Sequence, residues 1–186
     1  STMQALGKII ALGSAAKTFQ IMYNYVKDID DAMTELKKVT EETDSAYSDF
    51  LERASSRTQT LGVTLTNYIN ATSEFARLGY SLSQSEELAE AAVLYNNVGD
   101  GVKSVSDGAG SIISTMKAFG EESYSAMQIV DKFNKIGNEF AITSGGIGDA
   151  LTRSASALAQ AGNSLEESIA LIATANTIIR NEETVG

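Results

Sequence analysis

Histidine and cysteine are both missing from the 186 residues. Without them there is no Ser-His-Asp triad, no thiol nucleophile, no zinc site built from the usual ligands and no histidine-type haem ligation. The lack of cysteine also leaves the redox compartment undecided. Proline is absent too, which suits long helices, because proline removes a helix hydrogen bond and clashes with the preceding turn. Basic residues are scarce: 14 Lys and Arg stand against 24 Asp and Glu, giving a net charge of −10. That balance argues against a nucleic-acid partner, since phosphate binding needs clustered cations. Long hydrophobic runs are missing as well. The stretch from Leu6 to Val26 is rather apolar, but Lys8, Lys17, Gln20 and Asn24 interrupt it. It falls short of the roughly 18 uninterrupted apolar residues that would mark a membrane span, and nothing reads as a signal peptide. No segment alternates with period two for long enough to predict a strand.

Several short patterns carry a faint chemical signal. Gly145-Gly146-Ile147-Gly148 and Gly99-Asp100-Gly101 are glycine clusters, but no Lys-Ser/Thr follows them and no strand precedes them, so neither is a phosphate loop. Thr143 to Gly148 reads instead as the most flexible linker of the chain. Asp28-Ile29-Asp30-Asp31 lacks the glycine and the distal glutamate of a calcium loop, and predicts a solvated helix face. Asn70-Ala71-Thr72 matches the glycosylation triplet, which means little without a secretory signal. Carboxylates suited to glycoside hydrolysis are present by type, yet nothing marks one as buried. The expectation is no enzyme, no cofactor and no metal.

What the chain does have is a recurring Gly-x-Ser/Thr-Leu. It occurs as Gly62-Val63-Thr64-Leu65, Gly79-Tyr80-Ser81-Leu82 and Gly162-Asn163-Ser164-Leu165. Glycine supplies the left-handed residue that closes a helix, because it has no Cβ to oppose φ > 0. Two residues later the hydroxyl can cap the next helix. Gln84 follows Ser81 by three residues and Glu167 follows Ser164 likewise, so both predict capping boxes. The segment 75–82 lies over 158–165 without a gap, and Lys117-Ala118-Phe119-Gly120 repeats the helix-closing half, followed by Glu121-Glu122-Ser123 in place of the cap. Gly79, Gly120 and Gly162 are 41 and 42 residues apart, a helical-hairpin repeat length.

Ahead of these turns runs a heptad pattern. Phe19, Met22, Val26, Ile29, Met33 and Leu36 are spaced 3, 4, 3, 4, 3, and Leu12 and Ala15 extend it backwards. Such spacing makes a narrow seam for pairing helices, in this chain or between copies; an ordinary amphipathic helix on the chain's own core is the alternative. Residues 4–13, with Gly7 and Gly13, predict a short or imperfect helix of their own. Thr40 to Ser45 is a polar break, and Asn96 to Gly101 reads as a turn. The expected fold is all-α: a long N-terminal amphipathic helix in segment 1–44, then a compact array of short helices joined by Gly-capped turns in 45–186. The ends, Ser-Thr-Met and Thr-Val-Gly, suggest a fragment of something longer.

From about Ala32 onward the chain resembles the core region of phage tail tape measure proteins. The resemblance is carried by Asp31-Ala32-Met33-Thr34-Glu35-Leu36-Lys37-Lys38-Val39-Thr40, Leu61-Gly62-Val63-Thr64 and Phe75-Ala76-Arg77-Leu78-Gly79-Tyr80-Ser81. It continues in Met116-Lys117-Ala118-Phe119-Gly120, in Gly148-Asp149-Ala150-Leu151, and in the run from Leu158 to Glu167. Each motif is only a capped helix turn; their order is the specific part. The resemblance implies a structural protein extended along the tail lumen in a few copies, setting tail length and assembled in the host cytoplasm. Tail tube proteins, baseplate or hub proteins and tail assembly chaperones would be its partners. A helical interaction or secreted helical-hairpin module is the alternative, and part of a cell-wall lytic tail protein a more distant one.

Overall fold

The computed structural model describes residues 2–120 and 123–179, with side chains from Lys17 onward. Leu12 and Ala15 of the seam therefore lie outside the described side chains. Glu121-Glu122 and the terminal Thr-Val-Gly lie outside the described residues. Among the described residues there are eight α-helices and no strand: α1 (Thr2–Val39), α2 (Asp44–Leu61), α3 (Leu65–Ala76), α4 (Leu82–Val98), α5 (Val105–Phe119), α6 (Ala126–Glu139), α7 (Ser144–Gln160) and α8 (Leu165–Ile179). The all-α expectation holds, including one long helix ahead of a compact array of shorter ones.

The helix α3 sits centrally, with α1, α2, α4 and α5 around it; α5 runs along α7, and α6 closes over α4, α7 and α8. The largest fully buried side chains include Leu36, Phe50, Tyr68, Ile69, Phe75, Tyr95, Ile112, Ile129, Phe133, Ile147 and Leu151. Each such side chain contributes about 1.5–3 kcal/mol by leaving water. Tyr95 and Phe133 meet at a centroid distance of 5.6 Å. Helices approach closely where small residues line their faces. The hydroxyls buried there bond back to their own helices: Thr72 to the Tyr68 carbonyl at 2.9 Å and Thr115 to the Ser111 carbonyl at 2.8 Å. No hydroxyl of that pair is buried without an acceptor, so small polar residues can stand where bulk would separate the helices.

Three local expectations change. Residues 4–13 do not form a separate helix: α1 is unbroken from Thr2. Asn96 and Asn97 are not in a turn but in the last turn of α4, and Asn97 Nδ2 donates to the Leu61 carbonyl at 2.6 Å. The tertiary bond supplies what local propensity lacks. Thr143 to Gly148 is not a flexible linker. Thr143 is the N-cap of α7, its hydroxyl accepting from the Gly146 N–H at 2.9 Å, and Gly145, Gly146 and Gly148 are buried in the first two turns. The reason is contact. The N-terminus of α7 lies directly on the 99–102 loop, where the Gly145 N–H donates to the Asp100 carbonyl at 2.8 Å. A Cβ built on Gly145 would sit 2.4 Å from the backbone of Gly101. The same region holds the Tyr95 hydroxyl, which donates to the Ser144 carbonyl at 2.7 Å. Burial pushes that phenol well above its ordinary pKa, so it stays a proton donor.

The internal repeat is uneven in three dimensions. In the register that lays Gly79 on Gly162, Leu88, Ala92 and Tyr95 of α4 correspond to Leu171, Ala175 and Ile178 of α8. On α4 this face is covered by α5 and α6, and Tyr95 is fully buried; on α8, Ile178 is 82% exposed.

Candidate interaction surfaces

The three Gly-x-Ser/Thr-Leu turns share a positive-φ glycine followed by a hydroxyl cap, but only Gly62 is itself the helix C-cap: α3 closes at Arg77 and α7 at Ala161, both right-handed. Gly62 closes α2 with φ 68° and ψ 31°, its N–H donating to the Thr58 carbonyl at 2.9 Å, and Thr64 then caps α3 by accepting from the Asn67 N–H at 3.2 Å. Gly79 has φ 93°. Ser81 accepts from the Gln84 N–H at 3.3 Å while its own N–H donates to Gln84 Oε1 at 3.1 Å. Gly162 has φ 88°. Ser164 and Glu167 exchange the same pair of bonds, at 3.2 and 2.8 Å. The bonds from Ser164 hold the Glu167 carboxyl below the usual range. Gly120 departs from this scheme: φ is 96° but ψ is 126°, outside the left-handed helical region. The cap of the following helix is Ser125, paired with Gln128 in a capping box. Sequence reading found Glu121-Glu122-Ser123 there in place of a cap. The Ser-x-x-Gln signal was present at 125–128 but lay outside the expected spacing.

These turns are exposed, and their polar groups are spent on one another. A Cβ at Gly62, Gly79 or Gly162 would meet nothing within 4 Å. The cost of replacing them is therefore conformational rather than steric. Gly162→Val is expected to lower stability by more than about 1 kcal/mol, and Gly162→Asn by less, because asparagine tolerates φ > 0 better than a β-branched residue. Thermal melts of the two variants check this; equal melting temperatures would show that the turn does not need φ > 0.

The structure divides the heptad residues into two groups. Met33 and Leu36 are buried with Ala32 where α1 meets α3, and Ile29 is half-buried against the same core. Phe19, Met22 and Val26 are 73%, 63% and 64% exposed, with Ile21, Tyr23 and Tyr25 exposed beside them. This half of α1 is apolar on more than one side and touches little of its own chain, which is the pattern of a helix meant to be covered.

A polar cleft of about 410 Å³ opens where α1, α3 and the start of α5 meet, lined by Glu35, Asn70, Glu74, Arg77 and Ser106 among others. Its charged groups are already engaged. Arg77 pairs with Glu35 at 3.2 Å, and the Ser106 hydroxyl donates to Glu74 at 2.6 Å. The Lys38 ammonium, with Arg77 adding to it, keeps the Glu35 carboxyl below its usual range. A general acid near neutral pH would need the opposite shift. On the other side, Lys132 pairs with Glu166 at 2.6 Å and the Tyr124 hydroxyl donates to Glu166 at 2.8 Å, joining the α6 region to α8. Among the described residues no three acidic side chains gather as a metal site, and no helix is long and apolar enough to cross a membrane.

These surfaces therefore offer packing and pairing rather than chemistry. The model of one protein family, the phage-related minor tail protein, matches residues 51–184. The chain belongs to that family. The family points to a structural role in the phage tail, so this minor tail protein is virion-associated and works against other tail components. No solved structure matches the chain. The family match begins at Leu51 and so takes in α3 to α8 and most of α2. The 31–40 segment, which carried the first part of the resemblance, lies outside it.

Proposed function

We propose that this minor tail protein is part of a tape measure protein, which sets tail length and promotes tail assembly. In this reading residues 1–44 are the rod-like part, and residues 45–186 a folded node that docks to tail tube, hub or baseplate proteins, with assembly chaperones holding it beforehand. The tail lumen is its place in the virion, the host cytoplasm its place during assembly, and several copies associate through the exposed part of the seam, Phe19, Met22 and Val26. The Gly-capped turns at Gly62, Gly79, Gly120 and Gly162 serve the node as structure, not as binding sites.

The observation that carries the reading is the contrast within one chain. The helix α1 has 38 residues, which at 1.5 Å per residue is about 57 Å of extended length. After Asp44 the helices have 12 to 18 residues and fold back on one another, adding mass but little length. Deleting residues 80–119 from the full-length protein tests it. Tail yield should collapse, and surviving tails should not be shorter by the roughly 60 Å that 40 helical residues would span. Electron microscopy giving normal yields with proportionally shorter tails would make this segment part of the ruler and overturn the assignment of a node.

A further inference from the structure

The break between α1 and α2 is unlike the Gly-x-Ser/Thr-Leu turns. Residues 40–43 contain no glycine, and between Gly13 and Gly62 there is neither glycine nor proline. Nothing in the backbone chemistry of this span stops a helix. The heptad phase also runs straight through. From Leu36 the steps are 4 to Thr40, 3 to Thr43, 4 to Tyr47, 3 to Phe50 and 4 to Ala54. Tyr47, Phe50 and Ala54 form the first three buried positions of α2, and the fourth, Thr58, leaves the phase by one residue. Two helices joined by an arbitrary connection have no reason to share one register.

The bend is held by a few side-chain bonds. Thr43 accepts from the Ala46 N–H at 3.2 Å. The Tyr47 hydroxyl lies 2.7 Å from Thr40 Oγ1 and donates to the Thr40 carbonyl at 3.0 Å. Both α1 and α2 pack on α3 rather than along each other. The seat of α2 is one face, two ion pairs to α4, Arg53 to Glu86 at 2.8 Å and Arg57 to Glu90 at 3.6 Å, and the bond from Asn97 of α4 to the Leu61 carbonyl.

We propose that residues 40–43 are a hinge at which α2 swings out to continue α1 as one helix, and that the released α2 seats on α3 and α4 of a second copy of this chain, which returns its own α2. The contacts and ion pairs of α2 with α3 and α4 are re-formed in the exchange, and only the contacts across the bend, Lys37 to Asp44 and Tyr47 to Thr40, are given up, which makes such a swap an inexpensive route to a dimer. The straightened helix, residues 2–61, is about 90 Å long at 1.5 Å per residue. The inference goes beyond the tail-length reading and does not need it.

The absence of cysteine makes the test direct. A chain carrying Arg53→Cys and one carrying Glu86→Cys are unfolded together, refolded at high concentration and treated with a short bis-maleimide. The expected product is a covalent dimer joining the two variants, recovered from a dimer fraction defined by light scattering. Glu41→Pro should lower that product at least about a hundredfold, because proline breaks a continuous helix, whereas in the bent chain residue 41 lies outside both helices. The double variant Arg53→Cys/Glu86→Cys should still link within one chain on the Glu41→Pro background, which shows that this background folds. A chain that stays monomeric at every concentration overturns the proposal. So does a dimer that links through Met22→Cys but never between positions 53 and 86, since that would be seam pairing without exchange. Either result leaves the tail-length experiment untouched.

Discussion

Gly145→Ala is expected to lower stability by about 2–3 kcal/mol, the range for forcing extra volume into a packed interior. At 2–4 °C per kcal/mol for a chain of this size, the melting temperature should fall by about 5–10 °C. The added methyl would stand 2.4 Å from the Gly101 carbonyl carbon and oxygen and 2.6 Å from the Val102 nitrogen. These are backbone atoms, so no side chain can rotate away. The 99–102 loop and the start of α7 would have to separate, straining the bond from the Gly145 N–H to the Asp100 carbonyl and displacing the Ser144 carbonyl from the Tyr95 hydroxyl. Gly110→Ala is the control. It lies inside α5 with nothing within 4 Å of the built Cβ, so it should gain about 0.5–1 kcal/mol from reduced backbone freedom in the unfolded chain. Melts in which the two variants move together would show that the α7 joint is not held by contact.

Met33→Asp and Met22→Asp, two steps of one heptad pattern, are expected to part company. Met33 is buried beside Ala32 and Leu36. An aspartate there loses the packing of a large side chain and places an unpaired charge against an apolar core, a loss of at least about 3 kcal/mol. Soluble yield and melting temperature should both drop sharply. Met22 is exposed, so the same charge should leave the melting temperature of the isolated chain within about 2 °C, a surface-sized effect. Its effect should appear in mass: light scattering at high concentration should give smaller particles for Met22→Asp than for the parent if α1 pairs between copies. Identical masses would mean that the exposed half of the seam is unused in solution.

The parts of this fold that could be read in the chain are those written in local chemistry. Ser81 with Gln84, and Ser164 with Glu167, mark helix starts because the capping bonds span only three residues, and no tertiary contact is needed to form them. Helix type followed from periodicity for the same reason. The 143–148 stretch failed because glycine has two uses, freedom and closeness, and only the loop at 99–102, more than forty residues away, decides between them. The heptad pattern predicted an apolar face but not what meets it. Spacing alone treats Phe19 and Met33 alike; the difference is that α3 reaches one and not the other. The cap at Ser125 stands outside the register of the repeat, since the connection after Gly120 is longer than in the other copies. No polar cluster was legible as a site, and the ones the fold creates, around Glu35 and Glu166, arise from residues tens of positions apart.

The way α1 is held has a mechanical consequence. Among the described side chains of α1, which begin at Lys17, its grip on the body is confined to the segment beginning near Ile29. The exposed part from Lys17 to Asp28 is 12 residues, about 18 Å at 1.5 Å per residue. A lever of that length converts a tilt of about 10° at the α1–α3 contact into about 3 Å of travel at Lys17, more than half of a helical turn of 5.4 Å. A sideways load on this exposed stretch is carried by Met33 and Leu36, where α1 meets the body. The residues that anchor the body are thereby also the ones that would register a pull on the rod.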